Sequence, residues 1–270
     1  MTSINSTSNA NIINNSLERI QQSNQRLSSG LRINSAADDA AGLAISTAFS
    51  TRVDAFDQSA RNANDGISLT QTADGNLSSI TENFQRLREL SVQAATGTLN
   101  DSDRQALNTE AKQLTSEINR ITETANFNGT KLFSEDAQLG LQVGPDAGDT
   151  INVDTDNLQQ KLQDLGLNDL DLSSQSGAQA ALGSIDDSLA EVNVQRSEFG
   201  ALNNRLSSTV SNLQQSSIDS EQARSRIADA DFAKEVAEQV RNEILLKSGI
   251  AVQTQANQRS DLVLQLLTDT

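Results

Sequence analysis

Between Ala40 and Ala95 small and apolar residues recur at steps of four and three: Phe49, Val53, Phe56, Ala60, Ala63 and Ile67, then Leu77, Phe84, Leu87 and Ala94. That spacing holds one narrow stripe on one side of an α-helix, the seam of a coiled coil. A helix over this stretch is about 80 Å long at ~1.5 Å per residue, so partner helices are needed along it. A second heptad set, Ile13, Leu17, Ile20, Asn24, Leu27 and Leu31, predicts a helix near the start, with Asn24 as a polar seam position suited to setting register. Ser28-Ser29-Gly30 interrupts it, and Ile33 to Gly42 reads as a connector in which Asp38 or Asp39 caps the long helix. Gly66 and Gly75, on the long helix, read as places of close backbone approach.

The long helix ends at Thr96 to Asn100. Asn100, Asp101 and Ser102 are candidate caps for a helix carrying Leu107, Ala111, Leu114, Ile118, Ile121 and Ala125. The short loop implies an antiparallel hairpin. From Asn126 to Val153 the pattern changes to period two, with Leu139, Leu141 and Val143, then Ile151 and Val153, between the turn signals Asn128-Gly129 and Gly144-Pro145-Asp146. This is a β-hairpin or small β-region. Leu158 to Leu172 is short and ambiguous, and Ser173 to Gly177 reads as a link. A long helix from about Ala178 carries Ile185, Leu189, Val192, Phe199, Leu202, Leu206, Val210 and Leu213. A last one, from about Ala230, carries Val236, Val240, Ile244 and Ile250 and closes on Leu262, Leu264, Leu266 and Leu267.

The expected fold is mainly α: an elongated antiparallel helical bundle or coiled coil with a small β-hairpin region, the N- and C-terminal helices paired. The expected domains are a terminal coiled-coil inner domain (1–38 plus 228–270) and a helical core domain (39–227) with its β-region near 128–155.

Composition narrows the function. The 270 residues carry a formal charge of −16, 36% hydrophobic and 3% aromatic residues, and no Cys or His. Apolar residues this sparse fit thin seams rather than one large core. Without Cys or His there are no thiolate or imidazole metal ligands, no disulfide and no Ser–His nucleophile arrangement, so no enzyme and no cofactor is expected. The loop acids Asp101, Asp103, Asp146 and Asp149 lack calcium-loop spacing. The acidic balance disfavours nucleic acid, and no run suits a bilayer or a signal peptide. Residues 1–34 sum to +2, 35–226 to −15 and 227–270 to −3. Nearly neutral ends suit burial among copies, and an acidic middle suits solvent.

Several runs then resemble the bacterial flagellins: Arg26 to Asn34, Ser35 to Ile45, Ala60 to Leu69, Gln85 to Gln93, Asn126 to Gly129, Leu141 to Gly144 and Ser225 to Phe232. Ala36 departs from the family, standing where a lysine is common. The resemblance covers nearly the whole chain and implies a short form without the variable outer domains, whose usual place is the loop near Gly166 to Gly177. It implies a structural subunit, exported through the flagellum's own channel, that polymerises with itself into the extracellular filament used for swimming. The alternative is a hook–filament junction protein. Implied partners are further copies of the chain, the flagellar cap and hook-associated proteins, an export chaperone at the C-terminal helix, and an innate immune receptor of animals. For that receptor the matching residues are Arg86, Arg88, Glu89, Leu90 and Glu110. For the inner tube they are Ile13, Leu17, Ile20, Leu27, Leu31, Val236, Val240, Leu264 and Leu267.

Overall fold

The computed structural model describes the backbone of residues 2–268 and the side chains of residues 9–259. Six α-helices dominate: α1 (Thr2–Ser29), α2 (Ala40–Ala94), α3 (Asp101–Thr124), α4 (Leu158–Asp164), α5 (Gln175–Ala228) and α6 (Phe232–Thr268). Four short strands separate α3 from α4: β1 (Asn126–Phe127), β2 (Thr130–Lys131), β3 (Ala137–Gln142) and β4 (Thr150–Thr155). They form two antiparallel hairpins, β1–β2 and β3–β4. The chain is thus mainly α with a small β-region, as the periodicities predict.

Two compact units result, 54–217 and the union of 1–53 with 218–270; α2 and α5 contribute to both. This division lies further into the long helices than the turn signals at 38 and 228 suggest. The first turns of α2 pair with the last turns of α5, as where the Arg224 guanidinium donates to Ser50 Oγ at 3.3 Å.

In unit 54–217, α2 and α5 run antiparallel. Contacts pair Asp57 with Ser217, Thr70 with Asn203, Asp74 with Arg196 and Arg88 with Asp186. One continuous core includes Leu77, Ile80, Phe84, Leu87, Leu90, Ile118, Phe133 and Phe199. The Phe133 and Phe199 rings meet edge to face with centroids 6.5 Å apart. Leu158 and Leu162 of α4, with Leu167 and Leu172 beyond it, are buried there too, which resolves the ambiguous stretch as a helix plus a 3-10 turn (Leu167–Asp169). The Ser173–Gly177 link instead runs into α5, whose first residue is Gln175. Gly66 is a true close approach: a Cβ there meets Leu141 Cδ1 at 2.4 Å. Gly75 is not, since nothing lies within 4 Å of the same position on it.

In the other unit, α1 and α6 run antiparallel. Asn9 Nδ2 donates to Gly249 O at 3.1 Å, Gln239 Nε2 to Asn24 Oδ1 at 2.9 Å, and Arg26 Nη1 lies 3.1 Å from Glu235 Oε1. Gly30 takes φ +71 just past α1, where a left-handed residue ends the helix. A single antiparallel bridge, Leu31 with Asp229, then ties the two helix junctions, with Ala230 N donating to Gly30 O at 2.9 Å. Asp39 is the cap of α2, accepting from Gly42 N at 2.8 Å. Asp38 closes the preceding turn instead, accepting from Asn34 N and Ser35 N.

Candidate assembly and recognition surfaces

The α1/α6 pair buries an unexpected set of residues. Inside it lie Ser16, Ser23, Glu235 and Asn242, all polar, spaced by seven on each helix. Gly249 continues the α6 series, and a Cβ on it meets Ile13 Cγ1 at 3.0 Å. The apolar heptad read from the sequence sits to one side of this seam. Ile13, Ile20 and Leu27 are half-buried, while Leu17, Asn24 and Leu31 are exposed. The offset has a simple cause. Residues at 13, 17, 20, 24, 27 and 31 and residues at 9, 16 and 23 are neighbouring stripes of one helix, and either can face a partner. Asn24 still reaches α6, through Gln239, as a register-setting residue should.

On α6, Val236 (45% exposed), Val240 (49%) and Ile244 (58%) turn away from α1. Their spacing of four continues the stripe expected from sequence. Phe232, Leu245, Ile250 and Val252 are also exposed. Leu264 and Leu267 lie outside the described side chains. The Arg26–Glu235 contact is made by one hydrogen bond, and Arg26 Nε and Glu235 Oε2 are buried without a partner.

The second surface lies on α2, α3 and α5. Arg86 donates to Glu110 through Nε (3.0 Å) and Nη2 (2.8 Å), and to Glu89 through Nη1 (3.1 Å). Those bonds, Glu110 first, hold the guanidinium's pKa above its ordinary value. Arg88 Nε reaches Asp186 Oδ1 at 2.7 Å, again raising the arginine. Arg86, Arg88 and Glu89 are exposed and Glu110 half-buried, whereas Leu90 is buried in the core. The structure therefore brings Arg86, Glu89 and Glu110 together, turns Arg88 to Asp186 on α5, and points Leu90 inward.

Two residues here were not singled out from sequence. Asp186 anchors Arg88 from α5, and nothing local marks it. Arg104 is buried and donates to three carbonyls at the end of α2 and in the following turn: Ala94 (3.1 Å), Thr96 (3.1 Å) and Leu99 (2.6 Å). A cation at a helix C-terminus is favourable and satisfies carbonyls that the helix leaves unpaired. Its position one turn into α3 was the available signal.

The bacterial flagellin N-terminal helical region matches residues 1–138, and the bacterial flagellin C-terminal helical region matches residues 182–267. The chain belongs to the bacterial flagellins. A flagellin of Halalkalibacterium halodurans is 43% identical over 252 residues, covering 93% of each chain. The crystal structure of Bacillus cereus flagellin superposes with a TM-score of 0.52 at 31% identity, covering 57% of this chain and 88% of that one. A putative flagellar hook-associated protein from Vibrio parahaemolyticus matches at TM-score 0.59 and 18% identity, covering 71% of this chain and all of its own (100%). That last likeness shows shared fold alone, so the hook-junction alternative is not favoured against flagellin.

Proposed function

We propose that this flagellin builds its filament through the outward apolar stripe of α6 and the flank of α1. The chain is a structural subunit of the bacterial flagellar filament. The observation that supports the residue assignment is the exposure of Val236, Val240 and Ile244 on a helix whose inward face is polar. These side chains are already about half covered, so burying the rest contributes about 1 kcal/mol each, repeated at every subunit. Ile13, Leu17, Ile20, Leu27 and Leu31 join the same packing, with Leu264 and Leu267 extending it. In this reading 1–38 and 228–270 form the inner domain and 39–227 the helical core domain.

The finer partners follow from the same surfaces. A chaperone covering α6 before export hides the same apolar stripe, and cap and hook-associated proteins meet subunits at the filament's ends. Secretion places the filament outside the cell. Arg86, Arg88, Glu89 and Glu110 present the charges an animal innate receptor reads, with Leu90 supporting them from beneath.

The test is Val240→Asp. Electron microscopy of the purified variant should show no filaments, with circular dichroism as helical as that of the parent. Filaments of normal yield would remove α6 from the assembly interface.

A further inference from the structure

The β3–β4 hairpin has a free edge, and its hydrogen-bond phase identifies which groups lie there. Val143 N donates to Asp149 O at 2.8 Å, and Ala137 N and O both bond Thr155 Oγ1 at 3.1 Å. Odd-numbered residues therefore face across the hairpin, in the register Leu139 with Val153 and Leu141 with Ile151. Even-numbered residues turn their amides outward. On β3 this is visible at Gln142, whose carbonyl accepts from Asn62 Nδ2 of α2 at 2.9 Å. On β4 the outward amides are those of Asn152 and Asp154, and among the described residues no further strand pairs with them.

That edge borders a groove of about 530 Å³ against α5. Asn152 and Asp154 line one wall, and Glu198, Phe199, Leu202 and Arg205 line the other. The volume is within the roughly 300–1,000 Å³ of ligand clefts. The apolar floor is Phe199 with Leu202. Neither Glu198 nor Arg205 has an ion-pair partner among the described residues. They stand seven residues apart on α5, about 10 Å along the axis, which about three to four residues of extended strand cover; a spacing of four keeps both matching side chains on the α5 side.

We infer that the outer edge of β4 takes an extended segment of a partner protein by strand addition. The segment carries a basic side chain at the Asp154–Glu198 end, an acidic one at Arg205, and an apolar residue between them over Phe199 and Leu202. Main-chain bonds to Asn152 and Asp154 hold it, and the charges at the two ends select it. Charges beside an edge strand also serve simply to keep it unpaired, and the experiment separates the two roles. The site shares no residue with α1 or α6, so loss of filament assembly and loss of this binding are independent results.

Isotope-labelled full chain is titrated with the blocked peptide Thr-Lys-Thr-Val-Thr-Glu-Thr, whose Lys, Val and Glu share one face of the strand, while the amide resonances are followed. The expected result is a saturable shift and slowed exchange at Asn152 and Asp154. N-methylation of the peptide's central valine should weaken binding about tenfold, the equivalent of one lost hydrogen bond. Glu198→Lys should lose this peptide and take the form in which Glu replaces its Lys. No shift at Asn152 and Asp154 up to about 1 mM peptide, or equal binding by the N-methylated peptide, overturns the inference. So does binding untouched by Glu198→Lys. Edge shifts that follow protein concentration without peptide would assign the edge to a second copy and overturn the partner named here.

Discussion

The α2/α5 core and the α1/α6 pair are both antiparallel helix pairs, yet they bury opposite chemistry. The first closes over Leu77, Ile80, Phe84, Leu87 and Phe199. The second closes over Ser16, Ser23, Glu235 and Asn242. Their surfaces reverse the relation. Of the exposed large apolar residues described, Val92 and Val194 belong to unit 54–217, and twelve others, from Ile12 to Val252, belong to the terminal unit. A core that has used its apolar residues is a finished body. A pair that shows them outward gains stability when something else covers them, which offsets part of an ordering cost of ~1–2 kcal/mol per residue. In the proposed reading the terminal helices are built for an assembly, and the core for a monomer.

The sharpest way to break this comparison is to mutate the core of the first pair and the outward stripe of the second. Phe84→Ala should cost about 3–5 kcal/mol in the chemical denaturation of the subunit, since it leaves a cavity in a closed core. Val240→Asp should leave that transition where it is. A Val240→Asp subunit as destabilised as Phe84→Ala would mean the two pairs are not different in kind.

Next in size is the ion pair inside the terminal seam. Glu235→Ala leaves Arg26 half-buried and without its acceptor, and should cost about 1–3 kcal/mol, read as faster amide exchange along α1. Joint replacement by Arg26→Leu and Glu235→Leu should recover that loss or exceed it, since apolar isosteres often match buried ion pairs. Recovery would also show that the orphaned Nε and Oε2 are a cost rather than a gain. A double variant as loosened as Glu235→Ala would contradict the reading of the seam.

Arg104→Ala should lower the stability of unit 54–217 by a similar or smaller amount, about 1–3 kcal/mol, because three carbonyls lose their donor. Arg86→Ala should change it by less than about 1 kcal/mol, being an exposed network. The order of these two in one denaturation series distinguishes a buried organiser from a surface charge.

The smallest effect concerns pH. Asp38 has its pKa lowered, chiefly by the Ser35 hydroxyl, then by the Ser35 and Asn34 amides. A carboxyl with a depressed folded pKa contributes stability above its unfolded pKa. That contribution is lost as pH falls through the folded value. The turn before α2 should therefore hold at neutral pH and loosen below the ordinary aspartate range, seen as faster exchange at the Ser35 amide relative to Gly42. Unchanged protection there in acid would separate the turn from Asp38.

Much of the fold was legible in the sequence. Periods of four and three located α2, α3 and α5, and alternation at Leu139 to Val153 located the hairpin, because each buried face repeats with its element's own geometry. Asn100 and Asp39 announced helix starts through side chains that accept a backbone N–H. What periodicity left open was which of two stripes of α1 faces α6. Apolar residues mark a buried face, but the face toward α6 is polar, and no rule of periodicity tells which partner covers which stripe. The Arg86–Glu110 surface was legible only as a resemblance, since its geometry depends on α3 and α5 arriving beside α2. Asp186 had no local signature for the same reason.

In the proposed reading α6 awaits its partners while the core does not. Hydrogen exchange measured on the subunit and on assembled filaments tests it directly. Amides from Val236 to Ile250 should exchange at least about a hundredfold more slowly in the filament, while those from Leu77 to Leu90 should be equally protected in both. Equal protection of Val236 to Ile250 in subunit and filament would contradict the claim.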